Sequence, residues 1–193
     1  MSGSSVFAII LAAGTASRFG SVKQLREFRG ATLVRRAAEL AEGVCGERSV
    51  LVVGHEWHKV VEASAPLRGF FVRNEQYRDG IASSISQGVR AVAQAADAVL
   101  LVLADQPLVT VSHLRALTDQ WAQSKSDIVA SQYAGVTGPP IVFPARCFPK
   151  LMALQGDDGA RAVVAGDTGS VRTITFEEAA IDIDRSADLE AIA

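Results

Sequence analysis

Apolar residues are distributed along this chain in two alternating patterns. In the first they are contiguous, over residues 6–11, 50–53, 70–72 and 98–103. Short apolar runs bounded by turn residues predict strands, and those at 6–11 and 50–53 are expected to be buried. In the second pattern they recur three or four residues apart, which predicts helices with one buried face. The spacing predicts a helix over 32–41, with Leu33, Ala37, Leu40 and Ala41 on one side and a stop near Gly43. Another runs to about Ala63 and stops before Pro66. A third is capped by Ser83 or Ser84 and reaches about Ala95, and a fourth covers 110–123 with Leu114, Leu117 and Trp121 inward. Asp157 or Asp158 can cap a helix running through Val164, and a last helix covers 186–192. Further strands are expected at 127–130, at 141–143 after the rigid Gly138-Pro139-Pro140, and at 171–176. Strands alternating with helices predict an α/β fold, a single domain over 1–193 with a mostly parallel central sheet and helices on both faces.

Composition narrows the function more than the fold. The chain has 193 residues and a formal net charge of -2. A chain without a basic excess is not expected to bind nucleic acid, since a polyanion needs a basic face. No apolar run approaches the roughly 20 residues that span a bilayer, so no membrane partner is expected. The polar start has no basic n-region, which argues against a signal peptide and for the cytoplasm. Cys45 and Cys147 are far apart and form no metal or redox pattern, so buried thiols in a reducing compartment are expected. His55 and His58 have no carboxylate or cysteine cluster beside them and read as surface residues.

Chemistry concentrates where the first strand ends. Residues 6–25 read VFAIILAAGTASRFGSVKQL. The apolar run empties into Ala12, Ala13, Gly14, Thr15, Ala16 and Ser17, followed by Arg18 and Lys23. Small side chains let a phosphate chain approach backbone N–H donors, and two cations can neutralise it. The loop has no Gly-Lys pair and only Gly14 and Gly20, so neither a Walker A loop nor the dinucleotide fingerprint is present. Asp105 closes the most apolar strand and is followed by Gln106-Pro107. It can make a turn hydrogen bond or, if this strand lies beside the first, face the Gly14 loop and hold a cation. Alternation in Ile181-Asp182-Ile183-Asp184 puts both carboxylates on one side of an extended segment.

LAAG followed by Arg-Phe-Gly and Lys resembles the signature loop of MobA-like nucleotidyltransferases, and looks most like their molybdenum cofactor cytidylyltransferase branch. The resemblance implies a Rossmann-like, nucleotide-diphospho-sugar transferase-like fold. It also implies Mg²⁺-dependent transfer of CMP from CTP to molybdopterin, with a molybdoenzyme receiving the product. Ala13 matches the CTP-using branch, where the GTP-using one has a second Gly. By the same resemblance Leu11, Ala12, Ala13, Gly14, Arg18 and Lys23 hold the nucleotide, with Asn74, Gly80 and Ser84 beside its base and ribose. Arg18, Lys23 and Asp105 are then the catalytic residues, and Asp105 and Asp184 the metal ligands. Pro140 and Arg161 fall in acceptor-side segments. The chain departs from the family at Ala16, where Ser is frequent, and after Asp184, where Thr-Pro-Glu is missing. Two other readings are compatible with these residues: cytidylyl or uridylyl transfer to a sugar or polyol phosphate, and a non-catalytic nucleotide or pterin carrier.

Overall fold

The computed structural model describes residues 4–14, 22–183 and 188. The first strand, β1 (Val6–Ala12), is followed by a small hairpin, β2 (Glu27–Phe28) and β3 (Ala31–Thr32). Helix α1 (Leu33–Cys45) leads to β4 (Ser49–Val53), and α2 (Trp57–Ala63) leads to β5 (Phe70–Arg73). Then come α3 (Ile81–Val92), β6 (Ala98–Leu103), α4 (Val111–Gln123), β7 (Ile128–Tyr133) and β8 (Val136–Pro144). Two short helices, α5 (Phe148–Met152) and α6 (Ala160–Ala165), precede β9 (Val171–Thr175). Among the described residues no helix is long and apolar enough to cross a membrane.

Seven strands form one sheet in the order β5-β4-β1-β6-β8-β7-β9. Strand β1 pairs in parallel with β4 (Ala8 opposite Ser49) and with β6 (Val6 opposite Ala98). Strand β8 runs against both β6 and β7, and β9 is parallel to β7, so β8 is the single reversed strand of the sheet. The expected mostly parallel sheet is therefore present.

The pleat of β1 divides the core. Ala8, Ile10 and Ala12 face a cluster built from Val34, Ala37 and Ala41 of α1, Val60 of α2, and Leu114, Leu117 and Trp121 of α4. Ile9, Leu11 and Ala13 face the other side, with Ile85, Val89 and Val92 of α3, Phe148 and Leu151 of α5, and Val163 of α6. Three helices thus cover each face. Trp121 is buried and donates its indole N–H to the Lys125 carbonyl at 3.1 Å, as befits a core aromatic with a polar edge. Both cysteines are buried.

The structure corrects several expected boundaries. Helix α1 runs through Gly43 to Cys45, because Gly43 gives room to Val111 of α4; the chain turns instead at Gly46, whose φ is 60°. Helix α3 begins right after Gly80, without a side-chain cap, so Ser83 and Ser84 lie inside its first turn. Gly159 rather than an Asp precedes α6, with no side-chain cap. The helix expected over 186–192 lies outside the described residues apart from Asp188.

A buried histidine ties α4 to the sheet. Ser131 donates its hydroxyl proton to the Pro140 carbonyl at 2.8 Å, so His113 Nε2, 2.7 Å from the same Oγ, must be the donor in that contact. The ring stacks on Phe176 with centroids 4.2 Å apart. Burial pushes its pKa down to about 4, with Glu178 opposing. Between about 6.5, the ordinary value, and 4 the unfolded chain binds the extra proton and the folded one does not. This stabilisation is complete above pH 6.5 and is lost as the pH falls towards 4. Asp167, held by Arg146 and Lys150, has its pKa lowered to about 2 and acts in a more acidic window. Unfolding free energies from urea titrations should drop by on the order of 3 kcal/mol between pH 7 and 4. His113→Leu should flatten that decline, and an equally steep one in the variant would refute the assignment.

Candidate active site

In open α/β sheets ligands bind beyond the carboxyl ends of the strands, where the strand order reverses. Here the chain builds outward from β1 to β4 and β5, then returns to place β6 on the other side of β1. The crevice therefore lies between the ends of β1 and β6. Ala104, just past β6, donates its N–H to the Leu11 carbonyl at 3.2 Å, which brings Asp105 beside the turn that follows β1. Lys23 returns to this point from a single 3-10 turn, Lys23–Leu25, with Nζ 2.7 Å from Asp105 Oδ2. The side chains are only 17% and 28% exposed, so the pair is partly screened from water. The other carboxylate oxygen, Asp105 Oδ1, is buried and has no hydrogen-bond partner among the described residues.

The Asp105 turn is braced from three directions. Ile183 donates its N–H to the Asp105 carbonyl at 3.0 Å. Gln106 Nε2 donates to the Pro139 carbonyl at 3.1 Å and to the Ala179 carbonyl at 2.8 Å. The expected acceptor-side turn, the reversed strand β8 and the C-terminal segment are thus all tied to the residue after Asp105.

The opposite wall comes from the first turn of α3. Asn74 donates its N–H to the Val53 carbonyl at 2.7 Å, which fixes it at the end of β5. Its Nδ2 then reaches Ser83 Oγ at 2.8 Å and Ser84 Oγ at 3.0 Å, while its Oδ1 accepts from the Gln76 N–H. Gly80 adopts a φ of 95°, which favours glycine, and a side chain there would strike the Gly156 carbonyl. That carbonyl accepts the Ala82 N–H at 3.1 Å, so the Gly156–Asp157 backbone packs directly on α3. The result is a cleft of about 500 Å³. Leu11, Ala13 and Gly14 line it from β1, Leu103 and Asp105 from β6, and Gly80, Ile81 and Ser84 from α3. That volume suits a small-molecule ligand.

Of the residues expected to act, Leu11, Ala13, Gly14, Gly80, Ser84 and Asp105 meet in this cleft, and Lys23 joins them through its ion pair. Ala12 points to the opposite face of the sheet, as the two-residue period of a strand requires. Asn74 is fully buried and holds the α3 serines from behind. Neither Pro140 nor Arg161 lines the cleft. Pro140 belongs to β8, with its carbonyl taken by Ser131. Arg161 donates to the Tyr133 hydroxyl at 3.0 Å and packs against Gly138, where a side chain would collide with it. Arg18 and Asp184 lie outside the described residues. His58 is exposed and stacked on Trp57, and His55 is half-buried near the Tyr77 ring.

Six further residues line the cleft that were not among the expected site residues: Gln24, Tyr77, Arg78, Ile81, Leu103 and Asp157. Gln24 Nε2 is 3.5 Å from the Gly14 carbonyl, and its Oε1 is buried with no hydrogen-bond partner among the described residues. Its place directly after Lys23 was the only available signal. Neither cysteine nor the buried histidine is poised as a nucleophile or base. Burial pushes the Cys45 thiol up to about 11 and the Cys147 thiol up as well, while His113 stays neutral above about pH 4. Among the described residues no group of three or more His, Cys, Asp or Glu side chains forms a metal-binding cluster. Among the described residues the site offers Lys23 and Arg78 as cations, and the carboxylates of Asp157 and of Asp105, whose Oδ1 is unspent, which suits charge neutralisation rather than proton transfer.

Comparison with known proteins agrees with this arrangement. The chain is 40% identical over 93 residues to the purine catabolism protein PucB of Bacillus subtilis (strain 168), covering 47% of this chain and 44% of that protein. It therefore spans less than half the length of that relative. It is 26% identical over 187 residues to the molybdenum cofactor cytidylyltransferase of Escherichia coli (strain K12), covering 96% of this chain and 94% of that one. Among solved structures, Rv0371c from Mycobacterium tuberculosis H37Rv superposes with a TM-score of 0.85 at 26% identity, over 99% of this chain and 98% of that chain. Its complex with manganese gives 0.81 at 24% identity, over 98% of both chains. The fold is that of the nucleotide-diphospho-sugar transferases, as the resemblance implied. Over residues 8–173 the chain matches the MobA-like NTP transferase domain, and it belongs to that nucleotidyltransferase family.

Proposed function

We propose that the chain, acting over 1–193 as one nucleotidyltransferase domain, moves CMP from CTP to molybdopterin in a Mg²⁺-dependent reaction that releases pyrophosphate. One observation carries the reading: the Lys23–Asp105 pair at 2.7 Å stands where the Gly14 turn and the end of β6 meet. The near full-length relation to a molybdenum cofactor cytidylyltransferase supports the choice of substrates. The two free, buried cysteines fit a reducing cytoplasm, where a molybdoenzyme would take up the product.

The acceptor phosphate is largely ionised at neutral pH, since its second pKa is about 6. Its oxygen attacks the α-phosphorus of CTP; the new P–O bond forms as the bond to the β-phosphate oxygen breaks, and pyrophosphate leaves. No general base is needed, which fits a cleft without a poised histidine or cysteine. Positioning and charge neutralisation then do the catalytic work. Lys23, Arg18 and the amides of the Gly14 turn hold the triphosphate, while Ser84 and Gly80 shape the base end. Beyond the cleft, the Pro140 segment would form a wall for the acceptor and Arg161, beside the Tyr133 hydroxyl, its cation. Asp105 suits a hard cation, because Oδ1 is a buried oxygen without a partner among the described residues, and Asp184 follows Ile183, which is bonded to the Asp105 carbonyl. Mg²⁺ held there would neutralise charge on the triphosphate and its leaving group.

Pyrophosphate release should be assayed with Mg²⁺, each of the four ribonucleoside triphosphates, and molybdopterin or a panel of sugar and polyol phosphates. Release with CTP and molybdopterin is expected. Release with a sugar or polyol phosphate alone would move the protein to that acceptor class, and tight nucleotide or pterin binding without release would make it a carrier.

Two sets of variants probe the roles. Asp105→Asn preserves shape but removes charge, so kcat should fall about 100-fold or more with the fold intact. Lys23→Ala removes a charge-assisted contact worth about 1.5–3 kcal/mol, and kcat should drop more than KM rises if the contact tightens in the transition state. Near-normal turnover in either variant would sink its assignment.

Base choice is the next prediction. Ala13 is buried at the cleft wall, and its methyl should disfavour a larger purine held close to the backbone. CTP should exceed GTP in kcat/KM, and Ala13→Gly should narrow the preference only in part, because Gly80 and Ser84 also line that end. A wild-type preference for GTP would refute the steric argument.

A further inference from the structure

The C-terminal segment makes a contact that nucleotide binding alone does not call for. Ile183 is fully buried in a small apolar cluster with Phe28 and Leu33, and Leu108 packs against it. This cluster is separate from the two cores on the faces of the sheet. Each member belongs to a segment that carries a charged residue of the site. Phe28 ends the first strand of the hairpin that follows Lys23 and Leu33 comes directly after the hairpin, Leu108 follows Asp105 by three residues, and Ile183 sits between Asp182 and Asp184. The Leu33 N–H donates to the Arg26 carbonyl at 2.8 Å, so the stretch returning from Lys23 is fastened to the start of α1. The Ile183 N–H fixes the Asp105 carbonyl at 3.0 Å, and Gln106 fixes the Ala179 carbonyl at 2.8 Å. The segment 179–183 is thus pinned at both ends to the Asp105–Gln106 turn, with Ile183 as its apolar plug.

We propose that Ile183 is a positioning residue that couples docking of the C-terminal segment to cation binding at Asp105. The inference rests on the reading above only in taking a divalent cation to bind Asp105. A hard cation rewards oxygens that are already aimed, and the Asp105 turn owes its direction to bonds made by the docked segment. Emptying the Ile183 pocket releases the segment and loosens the carbonyl anchor of Asp105. By reciprocity, a cation bound at Asp105 must stabilise the docked segment by the same factor.

The test uses Mn²⁺ and does not require turnover. Mn²⁺ affinity is measured by electron paramagnetic resonance on the full chain, and amide exchange of the 179–183 peptide is followed by mass spectrometry with and without the ion. In the wild type Mn²⁺ should bind and should slow exchange in that peptide. Ile183→Ala should weaken Mn²⁺ about tenfold and abolish the slowing, within the usual range of coupling between sites. Ile183→Val, which refills most of the pocket, should restore both to within about a factor of two of wild type. Leu114→Ala empties a fully buried site in α4 outside this cluster and should lower thermal stability while leaving Mn²⁺ affinity unchanged. Asp105→Asn should abolish binding. Wild-type Mn²⁺ affinity in Ile183→Ala, a loss in Leu114→Ala as large as in Ile183→Ala, or no Mn²⁺ binding by the wild type would each overturn the proposal. Pyrophosphate release is a separate measurement, so a carrier protein could fail the activity assay and still show this coupling.

Discussion

The rest of the molecule depends on the demand that β1 be buried on both faces. A strand of seven residues, Val6–Ala12, whose inner positions exclude water cannot sit at a sheet edge. It needs a parallel neighbour on each side and helices above and below. The chain meets this by adding β4 and β5 on one flank and returning for β6 on the other, and the return creates the crevice at the strand ends. Fold and cleft therefore have one cause. Ala13 and Gly14, just past β1, and the carboxylate after β6 are left facing a shared space.

That logic explains which parts were legible in the sequence. The central strands β1, β4 and β6 read as apolar runs, and the helices on each face as three-and-four spacing, because both follow from burial. The edge strand β5 carries the same apolar signal although Phe70 and Phe71 are exposed. The two boundaries that misled, Gly43 and the α3 serines, have packing causes that periodicity does not see. Gly43 is kept small by Val111 of another helix, and Ser83 is occupied by Asn74 and the Gln76 carbonyl rather than by a free helix end. Residues near the strand ends were found because their chemistry is local. Gln24, Tyr77, Arg78 and Asp157 were not, since each reaches the cleft only through the course of a loop.

The structure divides the Gly156–Arg161 stretch between two neighbours. Asp157 comes to the cleft because Gly80 lets the Gly156 backbone pack on α3, while Arg161, at the start of α6, turns to Tyr133. A motif's residues share a sequence window, but a bend between a loop and a helix can send them to different neighbours. Cleft-lining Arg78 is a cation that spacing gave no reason to choose.

The ion pair at the centre of the cleft is best understood as an exchange site. Lys23 and Asp105 are opposite charges already drawn partly out of water, so the cost of shielding them has been met in folding rather than at binding. An incoming phosphate offers Lys23 a new anion, and a cation offers Asp105 a new partner. The pair can then be traded for two contacts without stripping either group of fresh solvent. For such a trade to favour a charged ligand, the protein groups must not collapse onto each other or swing away when the pair opens. The bracing of the Asp105 turn by Ile183, Gln106 and the Leu11 carbonyl supplies that resistance, and the short Lys23–Leu25 turn limits the travel of the lysine backbone. The same bonds explain why residues 179–183 return across the sheet to the turn after β6. Its apolar residue fills a pocket between the two charged segments, and its backbone holds one of them in place.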